Sequence, residues 1–252
     1  MIGFGSRRTP GCITFASAMI EVVTRRTPFL TQKEVWYFDG SPVQLAGRTF
    51  FYQALEKPNQ THDVFRTLWS ELDVTEETLF SRISETFRYH IRKADRIDHS
   101  RWFQFHPAAN SIQTFLDTHC VFAATKSILP FSKSRLAAMV SAGCFCLTGV
   151  DVGEETVIFH SYLTDGVSAR LLSSHHAGNQ PDATRGYLNK SLHWHDMLFF
   201  KKNGYRIYDW GGVSEPGQGR TFFKESFGGK PHLSYNYIVE NKLYRAISHL
   251  RP

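Results

Sequence analysis

A chain of 252 residues with 42% hydrophobic content is long enough to bury a full core, as one large domain or two small ones. Lys and Arg outnumber Asp and Glu by 29 to 23, giving a formal charge of +6 and a pI near 9.2; a phosphate-rich partner is electrostatically allowed, and so is an ordinary basic protein. Cys12, Cys120, Cys144 and Cys146 lack paired CxxC spacing, which argues against structural zinc and suits a reducing cytoplasm better than secretion.

The apolar run from Cys12 to Ile20 meets Glu21 and Arg25 directly, so it reads as mature sequence rather than a signal peptide, and no later run approaches the ~18 apolar residues that span a membrane. Val35–Phe38 and Thr49–Leu55 are strand-like, separated by Gly40, Pro42 and Gly47, and are expected to pair as an antiparallel meander. DVFRTLWSEL, from Asp63, begins extended and leads to a helix. Asp73 and Thr75 are candidate caps, and Phe80, Ile83, Phe87, Ile91 and Ala94 recur at the spacing of one helix. A strand at Trp102–Phe105 and helices over 111–126 and 133–142 follow, broken by Pro130 and Gly143.

CFCLTGVDV, ETVIFHSYLT and VSARLLSS read as three successive hairpin strands, with Asp165–Gly166 the strongest turn signal in the chain. A helix over 184–202 ends at Asn203–Gly204, and Gly204 suits the left-handed position beyond its C-terminus. Then come a strand at 205–210, a short helix near 220–227, a strand at 232–239 and a basic helical tail over 241–252. This order is α+β with one crossover after the meander.

The stretch 204–229, GYRIYDWGGVSEPGQGRTFFKESFGG, is the first candidate for a site. It joins a strand to a glycine-rich loop and a helix start, where backbone N–H groups can face an anion. Lys224 lies one turn into that helix, where its charge suits an oxyanion or a phosphate; the alternative is an exposed helical lysine. Asp209, at the strand's end, is either a base that orients an amine or a carboxylate bonded to loop N–H groups. Gly211, Gly212, Gly219 and Arg220 belong to the same loop and helix start. Asn189, His193, Trp194, Tyr208 and Trp210 are candidates to line a cleft, with buried core the competing assignment for the aromatics. Arg88, Arg92, Lys93 and Arg96 form a basic cluster that suits either polyanion docking or solvation. His175, His176 and Asp182 lack the spacing of a metal set, and no metal is expected. The absence of GxSxG removes the clearest serine-hydrolase signature.

YDWGG at 208–212 and GRTFFKESFGG at 219–229, together with RYHIRKADR at 88–96 and LNKSLHWHDMLFFKKNG at 188–204, resemble motifs of the Fem family of aminoacyltransferases, over roughly residues 70 to 240. The resemblance implies the GNAT-like acyltransferase fold: α+β, a mixed central sheet with an antiparallel meander, flanked by helices. It further implies one such domain over 1–252, with a strand-rich part at 1–70, the region of resemblance at 71–240 and the tail at 241–252. In such proteins the lysine of the matching Phe-Lys pair helps bind the aminoacylated 3′ end of tRNA and assists transfer, which implies that role for Phe223 and Lys224. The implied reaction forms an amide from an aminoacyl-tRNA co-substrate and a small amine or peptide, with no bound cofactor.

Two departures qualify the resemblance. SSHHAGNQPDATRGYLNKSL lacks the Q/R-x-x-G-x-G/A turn of acetyl-CoA enzymes, which disfavours that donor. Typical Fem proteins carry two copies of the fold and a helical arm, whereas this length fits about one copy and an extension, so a cell-wall acceptor does not follow. Acyl-CoA or an acyl-carrier protein remains an alternative donor, and a non-catalytic tRNA-binding module an alternative function; oligomeric state is open.

Overall fold

The computed structural model describes residues 19–27, 30–97, 100–105, 109–178, 180–213, 217 and 219–248. Cys12 and most of the apolar run after it lie outside them. The strands are β1 (Ile20–Thr27), β2 (Leu30–Trp36), β3 (Arg48–Ala54), β4 (Asp63–Glu71), β5 (Ser100–Phe105), β6 (Phe145–Val152), β7 (Glu155–Thr164), β8 (Ser168–His176), β9 (Ile207–Gly212) and β10 (Lys230–Glu240). The helices are α1 (Glu76–Ser81), α2 (Glu85–Ala94), α3 (Ala109–Lys126), α4 (Lys133–Ser141), α5 (Asp182–Lys202), α6 (Gly219–Glu225) and α7 (Lys242–Ser248). All ten strands make one mixed sheet in the order β1-β2-β3-β10-β4-β9-β8-β7-β6-β5. Only β2/β3 and β8/β9 are parallel pairs among them.

Alternation along the strands assigns the two faces. Leu68, Leu72, Tyr208 and Trp210 pack with Leu79, Ile83, Phe87, Ile91, Met197 and Phe200, so α1, α2 and α5 cover one face. Thr67, Trp69 and Asp209 therefore point from the opposite face. There Phe145, Leu147, Phe159 and Leu163 meet Phe115 and Leu116 of α3, Leu136 and Met139 of α4, and Ile20, Val22, Trp36 and Tyr37. The α+β architecture and the β6-β7-β8 meander are as expected. Its second turn is held by the Asp165 carboxylate, which accepts the N–H groups of Val167 (2.7 Å) and Ser168. Gly204 follows α5 at φ 85°, the left-handed stop that its position suggests. Among the described residues no helix is long and apolar enough to cross a membrane.

Two local expectations are corrected. β2 and β3 pair parallel, Gln32 opposite Arg48 through Trp36 opposite Tyr52, not as an antiparallel meander. The antiparallel partner of β2 is β1, and the chain from Tyr37 to Gly47 is far longer than a hairpin loop, long enough to run back beside the strand before β3 begins. The segment from Asp63 begins extended, as β4, and leads to a helix, α1, as expected. The single helix around Phe80–Ala94 is two helices, broken where the Ser84 N–H donates to Ser226 O (2.8 Å) and Gly228 packs on Arg82. Helical periodicity survives that break because both segments present the same apolar face to one core, while Thr75 caps α1 through the Thr78 N–H.

Candidate active site

β8 and β9 pair over only three positions, ending at Arg170 opposite Asp209, although both strands continue. Asp209 sits at that fork with no exposed surface. Its Oδ2 accepts the Tyr37 hydroxyl (3.1 Å) and Gln53 Nε2–H (2.9 Å), and its Oδ1 accepts the Gly211 N–H (2.8 Å) and the Thr67 hydroxyl. A carboxylate so surrounded by donors is held as an acceptor and is poorly placed to take a proton from a substrate. Tyr37 and Gln53 are two of the three non-glycine residues at positive φ among those described, at 57° and 50°. Each such conformation costs ~1 kcal/mol or more, and both here deliver a side chain to Asp209.

A register shift in the β4/β9 ladder sets Trp210 and Gly211 against Leu68, and Gly211 takes φ 70°, with Leu171 O only 3.0 Å from where a Cβ would stand. The Gly211 and Gly212 carbonyls accept from Lys224 Nζ at 3.3 and 2.7 Å. Lys224 is carried by α6, while its neighbour Phe223 wedges against Phe87 (5.3 Å) and His193 (5.4 Å) between ring centroids. Burial pushes the Lys224 ammonium down to about 8; Asp209 opposes that shift, and Arg170 and Arg220 add to it. Near neutral pH the group remains a cation, poised close to its titration point. Gly212, Gly219 and Arg220 are exposed around this lysine; the rest of the loop lies largely outside the described residues.

Arg170 adds a second cation on the Asp209 face. Its guanidinium carbon lies 4.9 Å from the Trp36 ring and 5.0 Å from the Phe65 ring, between two aromatic groups. Nη1 is 3.7 Å from Asp209 Oδ2, too long for a hydrogen bond. Nε and Nη1 are buried without a hydrogen-bond partner among the described residues, and so is Gln53 Oε1.

The α5 candidates occupy a buried polar chain on the other face. Tyr162 donates to Asp196 Oδ2 (2.6 Å), so its oxygen accepts from Tyr208 (2.7 Å), whose oxygen in turn accepts Nδ1–H of His193 (2.8 Å). His193 is thus held with Nε2 as its basic nitrogen, and burial keeps it neutral by pushing its pKa well down. Tyr208 and Trp210 are core residues, and Trp194 packs partly buried against Phe80; none of the three is a free cleft wall. Asn189 Oδ1 faces His160 Nε2 (2.9 Å) and Ser174 (3.1 Å). His160, His193 and Asp196 offer ligand atoms within 4.8 Å of one another, the one such group among the described residues. Those atoms are engaged with each other and with Tyr208, His160 Nδ1 lying 2.7 Å from Asp196 Oδ2. His175 and His176 alternate along β8; burial pushes His175 down to about 3. Burial also raises the Cys144 and Cys146 thiols to about 11 and about 12, which leaves both inert as nucleophiles.

Arg92, Lys93 and Arg96 line one cavity of about 610 Å³ with Tyr89, Tyr187 and the first turn of α5. Lys93 Nζ sits 4.5 Å over the Tyr187 ring. Arg88 turns away, donating to Ser81 O at 3.0 Å. The cavity combines positive charge, an exposed aromatic ring and a helix N-terminus.

Arg170, Tyr37, Gln53 and Thr67 have no place in any local motif. The one available signal was Arg170 itself, a lone charge inside the otherwise apolar and small strand VSARLLSS. No protein-family profile matches the sequence, and no curated protein is similar to it. Solved structures do share the fold. FemX superposes with TM-score 0.63 at 12% identity over 90% of this chain and 86% of that one. L-PGS from Bacillus licheniformis gives 0.54 at 13% identity over 80% and 72%. The C-terminal DUF2156 domain of a protein assigned as a lysylphosphatidylglycerol synthetase, from Agrobacterium fabrum, gives 0.55 at 12% identity over 92% and 83%. The chain therefore shares the fold of FemX and of these two proteins.

Proposed function

We propose that this protein is an acyltransferase that forms an amide bond, taking its acyl group from an aminoacyl-tRNA and passing it to the amine of a small molecule or peptide. The observation that carries the reading is Lys224, a partly buried cation set on the Gly211 and Gly212 carbonyls beside Asp209 and Arg170, in a fold shared with FemX. In the reaction the neutral amine attacks the ester carbonyl. The C–N bond forms, the ester C–O bond breaks, and the amine's proton passes to the departing ribose oxygen. Lys224 stabilises the oxyanion or the leaving end of the donor, Phe223 and Arg220 flank it, and Asp209 holds the fork in register rather than acting as base. The cavity of Arg92, Lys93, Arg96, Tyr89 and Tyr187 docks the RNA.

The test is transfer of radiolabel from a mixed pool of aminoacyl-tRNAs to small amines, with wild type and Lys224→Ala, against labelled acetyl-CoA as competing donor. Lysine-dependent transfer from tRNA supports the reading. Transfer from CoA alone overturns it, and salt-sensitive RNA retention without turnover identifies a binding module instead.

A further inference from the structure

We infer that Arg170 is an oxyanion-binding residue for the acceptor, so that the amine substrate carries an acidic group, a carboxylate or a phosphate. This deepens the proposed function and rests on it for the word acceptor, but the site stands on its own geometry. A buried guanidinium usually spends its N–H groups on acceptors, because unmet donors cost ~1–3 kcal/mol each. Arg170 leaves Nε and Nη1 unspent among the described residues, although its side chain is only 12% exposed. The Trp36 and Phe65 rings fix the group and shield it without using its donors. Asp209 balances its charge from 3.7 Å while accepting its hydrogen bonds from Tyr37, Gln53, Thr67 and Gly211. Arg170 is thus a desolvated, oriented cation whose donors await an oxygen ligand.

Two features assign that ligand to the acceptor. Lys224 on the Gly211 and Gly212 carbonyls already serves the donor's reacting end, and Arg170, held between the Trp36 and Phe65 rings, is a second cation left for the second substrate. Gln53 Oε1, fully buried and without a partner among the described residues, belongs to a side chain that contacts the same Asp209 oxygen. Beside Arg170 it offers an acceptor for an N–H group, complementary to a molecule that bears both an amine and an acid.

The experiment titrates the full chain by calorimetry with matched probes: glycine against glycinamide, and 2-aminoethyl phosphate against ethanolamine. The same titrations are run on Arg170→Lys, which keeps a charge beside Asp209 but loses the planar donor set, and on Arg170→Met, with thermal unfolding confirming that each variant folds. The expected result is at least tenfold tighter binding of an acidic probe than its neutral partner, lost in Arg170→Lys. Preference for glycine identifies the carboxylate source, and preference for the aminophosphate the phosphate source. Equal binding of acidic and neutral probes to wild type, or discrimination that survives Arg170→Lys, overturns the inference. So does an Arg170→Lys effect confined to retention of aminoacyl-tRNA. Arg170-dependent binding of an acid with no transfer from any aminoacyl-tRNA leaves the anion site standing and refutes the proposed reaction instead.

Discussion

Replacing Lys224 with methionine tests whether the folded state sustains an electrostatic cost for a working cation. Methionine keeps the unbranched apolar stem and removes the charge. The fall of the Lys224 pKa from 10.5 to about 8 corresponds to about 3 kcal/mol at ~1.4 kcal/mol per pH unit. Below pH 8 the lysine is charged in both the folded and the unfolded chain, so the cost is fully present. Between 8 and 10.5 the unfolded chain binds the extra proton, and the stability of the wild type rises relative to the variant. Against this, methionine abandons the Gly212 carbonyl, a loss of ~1 kcal/mol. Lys224→Met is therefore expected to be more stable than wild type by ~1–2 kcal/mol at pH 7, with the gap closing by pH 10 and transfer falling ~100-fold or more. Urea denaturation at the two pH values, followed by tryptophan fluorescence, measures the difference. A variant less stable than wild type at pH 7 by a margin that pH does not change would refute the reasoning and make Lys224 a structural clamp.

The transfer rate should show a descending limb near pH 8 as Lys224 loses its charge; Lys224→Arg, if active, should move that limb upward, and a limb that stays put assigns it elsewhere. Asp209→Asn should destabilise the fold by ~3–5 kcal/mol in denaturant titrations, because it strands Arg170 and turns an NH2 group toward two of the four donors; a loss below ~1 kcal/mol would contradict the saturated geometry. Substituting alanine at Arg92, Lys93 and Arg96 together should flatten the salt dependence of RNA retention by about 2 in log–log slope, at ~0.7 per phosphate contact. An unchanged slope would place the RNA elsewhere. Tyr162→Phe should cost ~1–3 kcal/mol by removing the donor to Asp196 and the acceptor for Tyr208; a neutral result would mean the chain of hydroxyls is not formed.

Local chemistry made much of the fold legible in the sequence. The Asp165–Gly166 turn, the left-handed Gly204, the Thr75 cap and the three meander strands each depend on a few adjacent residues whose conformational preferences agree with their surroundings. The same holds for part of the site, since Lys224 and the two glycines it contacts lie within one short motif. Tertiary structure decided the rest. The parallel pairing of β2 and β3 depends on β1 already occupying the antiparallel edge, and the break at Ser84 on a contact with Ser226. The surroundings of Asp209 come from four separate strands and the turn after β2, with Tyr37 bonded across 172 residues of sequence. Arg170 looks like any strand residue until Trp36 and Phe65 close on either side of it. Periodicity and turn chemistry report preferences over a few residues, whereas a desolvated charge acquires its properties from neighbours that only folding brings together.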